Sequence, residues 1–318
     1  TKTGKKLSYI VHIGIGGSFL GVKAVYEALR GHTRELSLDP GPQMFFVDTT
    51  DPQYIGALVR FLNERVKKPE QVLLHIASKS VGGRFSTFTS VGLIPLAASG
   101  FVVQKLVSGA IIMLAECLGK AEVNPAELSA TLRFLRLKKG KTIHDTFFFL
   151  PELEHLGKWY RGLLAESIGK EKDVQGNTVY AGITPTISIG STDLHGTGQL
   201  TFGGPRDKMT TFVGSASMPS GPSLRKNPFS KILPAIAEKS SGEILDAIYT
   251  GTKLSYKKSG LPFMEVLFPE RIDEESLGAF MQWKMTEVML LGHLMSVNPF
   301  DQPSVESYKE ETRRLLRG

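Results

Sequence analysis

The stretch Tyr9-Ile10-Val11-His12-Ile13-Gly14-Ile15-Gly16-Gly17-Ser18-Phe19-Leu20-Gly21 decides the fold. Ile10, Val11, Ile13 and Ile15 make an apolar run of strand length, the glycines let the backbone turn sharply, and Ser18 opens a helical pattern from Leu20 to Leu29. A buried strand that passes through a glycine turn into a helix is the repeating unit of a parallel α/β sheet. Free N–H groups at such a helix start attract anions, phosphate above all. A dinucleotide fingerprint requires glycine where Phe19 stands, and a Walker loop requires Gly-Lys-Ser/Thr where Gly17-Ser18-Phe19 stands, so neither cofactor is implied. A small phosphate monoester suits the serine hydroxyl and the backbone donors. Taken alone, the segment serves equally well as a purely structural turn.

At 318 residues and 41% hydrophobic content, the chain is long enough for two globular domains. Its formal charge of +7 comes from 38 lysines and arginines spread among 31 carboxylates. The basic runs, such as Arg65-Val66-Lys67-Lys68, are short, which disfavours a nucleic-acid partner and suits attraction of small anionic substrates. The single cysteine, Cys117, lies in an apolar helical run, excludes an intramolecular disulfide and fits a reducing, cytoplasmic compartment. The apolar stretch 96–115 is broken by Gly100, Gln104, Lys105 and Gly109, and residues 1–6 lead into a strand, so neither a membrane span nor a signal peptide is expected.

Strand-like runs at 9–15, 44–48 and 72–77 alternate with helical patterns at 20–30 and 53–66. A second β/α region carries helices at 102–118, 125–138 and 155–168 and strands at 146–150 and 210–213. Residues 182–190 read as turn-rich and 218–228 as a loop, and helices return at 242–258, 277–296 and 305–317. The expected division is a first domain over 1–100 and a second over 101–318.

Four further places carry chemistry. Ala77-Ser78-Lys79-Ser80-Val81-Gly82-Gly83-Arg84-Phe85-Ser86 gathers hydroxyls, a lysine and an arginine around a Gly-Gly turn, donors that suit an oxyanion or simply a solvated loop. Glu166 lies in a mostly apolar helical stretch, where it is either a base with a raised pKa or a snorkelling surface residue. His195 follows Ser191-Thr192-Asp193 and Lys309 sits among glutamates; a structural histidine and an exposed helix charge explain them as well.

In content and order these segments resemble the phosphoglucose isomerase family. Gly14-Ile15-Gly16-Gly17-Ser18-Phe19-Leu20-Gly21 is similar to its GIGGS-x-LG loop, and Gly82-Gly83-Arg84-Phe85-Ser86 to its GGR-aromatic-S signature. Trp159-Tyr160 with Ala165-Glu166-Ser167-Ile168-Gly169-Lys170 resembles its WY…AES-x-GK segment, and Thr192-Asp193-Leu194-His195 followed by Gln199 its TDLH-x-x-x-Q. The stretch from Asn298 through Phe300-Asp301-Gln302 to Lys309 resembles its N-x-FDQ-x-x-VE-x-x-K ending.

The resemblance implies two flavodoxin-like sugar-isomerase (SIS) domains, each a parallel sheet with helices on both faces, and interconversion of glucose 6-phosphate and fructose 6-phosphate without metal or cofactor. It implies that Glu166 shuttles a proton through a cis-enediol, that His195 and Lys309 assist ring opening, and that Arg84 steadies the enediolate charge. Gly17, Ser18, Ser78, Lys79, Ser80 and Gln302 would line the sugar-phosphate site, and the histidine would reach it from the second subunit of a homodimer. One departure bears on this. Where the family follows Ser-Lys-Ser/Thr with a threonine-rich phosphate loop, a helix and further strands, Ser80 here runs directly into Val81, leaving three evident strands and an incomplete first domain. Two readings follow: the isomerase, with further residues belonging between Ser80 and Val81 in the natural polypeptide, or a non-catalytic sugar-phosphate-binding protein.

Overall fold

Parallel strand pairing organises the chain. In a computed structural model, residues 7–37, 41–77, 82–119, 123–218, 220–223, 232 and 234–317 are described. The first sheet consists of β1 (Tyr9–Ile13), β2 (Gln43–Val47) and β3 (Val72–Ile76) in the order β2-β1-β3. α1 (Gly17–Leu29) crosses from β1 to β2 and α2 (Pro52–Arg65) from β2 to β3. The first crossover steps from β1 to β2 and the second runs back from β2 past β1 to β3, so right-handed connections in opposite directions set their helices on opposite faces. Asp51 starts α2 by accepting the Gln53 N–H, with Pro52 at the first helical position. α2 buries no residue fully, and Leu74 and Ile76 on β3 are 58% and 66% exposed.

α3 (Ser90–Ala98), α4 (Val103–Leu118) and α5 (Pro125–Lys138) lead to β4 (Ile143–Phe148) and α6 (Glu154–Ile168). An antiparallel hairpin, β5 (Lys170–Lys172) and β6 (Thr178–Ala181), precedes β7 (Thr184–Ile189), and the short α7 (Thr192–Gly196) and α8 (Gly198–Gly203) follow. Then come β8 (Lys208–Ser215), α9 (Ser241–Lys258), β9 (Phe263–Phe268), α10 (Glu274–Leu294) and α11 (Glu306–Arg317). The second sheet is parallel throughout, in the order β7-β4-β8-β9.

α6 lies against α1 on one side and against β7 and α10 on others, burying Leu156, Trp159, Tyr160, Leu163, Leu164 and Ile168. Through it one apolar core joins Ile10, Val22, Val25 and Phe46 to Phe148, Val213, Met281 and Val288. Such burial, at about 25 cal/mol per Å² of apolar surface, is the main force that fixes α6 in place. The turn-rich expectation for 182–190 is corrected, because Thr184–Ile189 is a strand. β7 is an edge strand paired only with β4, which tolerates Pro185 and leaves little apolar alternation to read. α3, the hairpin and β9 went unread as well.

Candidate active site

The site begins where two glycine turns touch. A Cβ on Gly17 would lie 2.3 Å from the Arg84 nitrogen, and one on Gly83 would lie 2.6 Å from the Ser18 nitrogen, so only glycines allow this backbone contact. The start of α1 is thereby laid directly against the turn that carries Arg84. Ser86 fixes that turn by donating its hydroxyl to the Gly83 carbonyl at 2.7 Å. The start of α1 has Gly16 at its cap, no side-chain cap and no acidic residue in its first turn, which leaves its N–H end open to an anion. Ser18 Oγ donates to the Ile15 carbonyl at 2.9 Å.

Arg84 is 2% exposed and every N–H of its guanidinium is used. Nε donates to Ser167 Oγ (3.2 Å), one terminal nitrogen to Glu166 Oε2 (3.3 Å) and Gln302 Oε1 (3.2 Å), and the other to the carbonyls of Pro299 (2.7 Å) and Asp301 (2.9 Å). Burial lowers its pKa and the Glu166 carboxylate pulls it back up. Lys170 works in parallel. Its ammonium donates to the Glu166 carbonyl at 2.8 Å and to the Asp301 carbonyl at 2.6 Å, and pairs with the Asp301 carboxylate at 3.1 Å. Two buried cations therefore tie the end of α6 to the 298–302 segment. Glu166 itself stays about one-third exposed.

Behind α6 lies a second, fully buried network. Tyr160, six residues before Glu166, donates to Glu287 of α10, which also pairs with Arg133 Nε at 3.2 Å and Lys284 at 2.9 Å. Arg133 donates to Thr211 at 2.9 Å and lies 3.1 Å from His144 Nδ1. Burial works to raise the Glu287 pKa, but its two cations outweigh it and hold the group down to about 2. Burial and then Arg133 hold His144 down to about 3.

Of the residues expected from the sequence, Gly17, Ser18, Arg84, Glu166 and Gln302 come together. His195, on α7, is exposed, and Lys309, on α11, pairs with Glu306 at 2.6 Å; no contact joins either to Arg84 or Glu166 within the described residues. Ser78, Lys79, Ser80 and the junction with Val81 lie outside the described residues. Sequence reasoning missed Ser167, Lys170 and Asp301 as members of the site, although each stands inside a segment quoted for the resemblance. Among the described residues no group of three His, Cys, Asp or Glu side chains is placed to hold a metal ion, and no helix is long and apolar enough to cross a membrane.

A family model described as phosphoglucose isomerase matches residues 1–81. The chain is 30% identical to the glucose-6-phosphate isomerase of Leptospira biflexa over 97% of its own length and 79% of that protein's. It is 28% identical to the glucose-6-phosphate isomerase of Carboxydothermus hydrogenoformans over 98% and 79%. Since 98% of 318 residues is about 312, the 374 aligned positions of that match include about 60 that the relative fills and this chain does not. Among solved structures, a hypothetical protein of Thermus thermophilus superposes with a TM-score of 0.83 at 25% identity, covering 98% of this chain and 84% of that one.

Proposed function

The chain belongs to the phosphoglucose isomerase family, and we infer from that membership and from the meeting of Arg84 with Glu166 that it interconverts glucose 6-phosphate and fructose 6-phosphate. The contact between Arg84 and Glu166 carries the reading: a partly exposed carboxylate beside a fixed cation is what proton abstraction next to a carbonyl requires. Glu166 takes the proton from one carbon of the open-chain sugar and returns it to the neighbouring carbon through a cis-enediol. Its Oε2 is held by Arg84, which leaves the other oxygen for substrate. Arg84 has no unused N–H, so it reaches the enediolate oxygen by giving up bonds from one terminal nitrogen, the long ones to Glu166 and Gln302, while Nε keeps its bond to Ser167. Its short bonds to the Pro299 and Asp301 carbonyls keep the guanidinium in place meanwhile.

Gly17 and Ser18, with Ser78, Lys79 and Ser80, hold the phosphate, and Gln302 contacts the sugar. His195 and Lys309 open the ring, with His195 supplied by the second subunit of a cytoplasmic homodimer; its exposed position on its own chain supports that assignment. We place the domain division near residue 100, and the roughly 60 residues that relatives carry in addition between Ser80 and Val81, where the family match stops. Purified protein should convert fructose 6-phosphate in a dehydrogenase-coupled assay containing a chelator. Saturable binding without turnover would instead make it a sugar-phosphate-binding protein.

A further inference from the structure

Two histidines face each other directly beneath the start of α1. The register of β1 and β3 sets His12 opposite His75. Their rings stack with centroids 4.9 Å apart and their Nδ1 atoms 2.9 Å apart. At that separation one Nδ1 carries a hydrogen and the other accepts it, so a neutral pair satisfies this contact. The remaining nitrogen of His12 is different. His12 is 0% exposed and its Nε2 has no hydrogen-bond partner among the described residues. An orphaned buried polar atom is uncommon enough to need an explanation. Nε2 is aimed at the Gly14 turn: a Cβ built on Gly14 would lie 3.7 Å from it and 3.0 Å from Ser18 Oγ.

We propose that the His12–His75 pair is part of the phosphate site and takes up one proton from solvent when a dianionic phosphate settles on the start of α1. This rests on the reading of that helix start as the phosphate site. In the protonated pair, one Nδ1–H still bonds the other ring, and His12 Nε2–H points toward the turn and its anion; only an N–H bond forms. Without ligand the proton is held off. Burial first and then the neighbouring imidazole push the His12 pKa down to about 4, against a smaller raising effect of the Ser18 backbone, which approaches the ring without reaching hydrogen-bond geometry at Nε2, and burial lowers His75. The groups facing His12 besides its partner ring are the Phe46 ring from β2 and the Ser18 backbone from α1; Lys23, over the Phe46 ring at 5.5 Å, acts on His155. The nearest carboxylate along β2 is Asp48, just past the strand end, whose charge acts on Tyr54 of α2. Each opposite charge brought within about 4–6 Å shifts a pKa by about one to three units, so a dianion can carry His12 past neutrality.

The test uses the full chain and glucitol 6-phosphate, which has no carbonyl and cannot isomerise. At pH 7.5 the phosphate is already a dianion, its second pKa lying near 6. Calorimetry in buffers of differing ionisation enthalpy should show uptake of close to one proton on binding, and Kd should rise about tenfold per pH unit above pH 7. In His12→Asn the uptake and the slope should vanish. Nitrogen NMR of the wild-type imidazoles gives the same answer without a variant, since His12 should become doubly protonated only with ligand. Saturable binding with buffer-independent enthalpy and level Kd overturns the proposal alone. Absence of binding to the wild type overturns the phosphate-site reading, and this proposal with it.

Discussion

Arg84 and Glu166 meet at 3.3 Å, the longest of the five hydrogen bonds the guanidinium makes, while its two bonds to the Pro299 and Asp301 carbonyls are the shortest. One side chain thus anchors the 298–302 segment and holds the Glu166 carboxylate loosely. Arg84→Lys keeps the charge but replaces a five-donor fork with three rotatable donors. We expect kcat/KM to fall by about 10²–10³, the loss typical of a missing oxyanion donor. Melting temperature should fall as well. Steady-state kinetics and thermal unfolding check both, and near-normal kcat/KM would remove Arg84 from the chemistry.

Glu166→Gln preserves shape and the contact with Arg84 but cannot accept the proton. Turnover of fructose 6-phosphate should fall by several orders of magnitude while the substrate Kd, measured by calorimetry, changes little. A variant that retains substantial kcat would mean that another group is the base.

Mixing variants tests the shared site. In a symmetric dimer each site combines groups according to the two-fold axis. If His195 serves the partner's Glu166, a heterodimer of Glu166→Gln and His195→Ala chains contains one intact site and one doubly damaged site. Random exchange should then restore about a quarter of wild-type activity from two weak parents. If both residues act within one chain, mixing restores nothing. Light scattering should also give twice 34.8 kDa.

What could be read in the sequence divides along physical lines. The β1–α1 unit was legible because an apolar run, glycines and a helical pattern follow one another within thirteen residues, and its structure matches to within a few positions. The gathering of Arg84, Glu166 and Gln302 was legible only through the resemblance, since no spacing reveals that residues 82 and 218 positions apart will bond. The Arg133–Glu287–Lys284–Tyr160 network left no trace. Charges in amphipathic helices look alike whether they face solvent or a partner, and α10 is apolar on nearly every side, so nothing marked Lys284 and Glu287 as fully buried.

That network predicts acid sensitivity. The Glu287 pKa is depressed, so its stabilising contribution is present above the unfolded value near 4.3 and is lost as pH falls toward about 2. His12 and His144, held down to about 4 and about 3, stay neutral in the fold while the unfolded chain protonates near 6.5. The unfolded state then binds more protons, so stability falls as pH drops below 6.5. For two such histidines the slope is about 2.7 kcal/mol per pH unit at most. Urea unfolding at pH 7.5, 6 and 5 should show the midpoint dropping; a level midpoint would contradict it.

Removing one member of the network should be costly. Glu287→Gln strands Arg133 and Lys284 and should cost about 3–5 kcal/mol, whereas Tyr160→Phe leaves the ion pairs intact and should cost about 1–2 kcal/mol. Chemical denaturation of the two variants checks the ranking, and equal losses would refute it.

The uneven packing of the first sheet has a kinetic meaning. α1 packs against α6 on one side and sets Phe19 and Tyr26 against Phe46 of β2 on the other, whereas α2 buries nothing fully and β3 ends the sheet with Leu74 and Ile76 bare. Local opening follows the number of contacts that must break, so α2 and β3 are the parts that fluctuate away first, while the α1 amides wait for the core to unfold. The helix start proposed to hold the phosphate is thus mounted on the slowest-exchanging part of an otherwise loose layer. A phosphate bound there should therefore slow exchange in α1 little in relative terms and register instead at the neighbouring strand ends, around a helix that was already still.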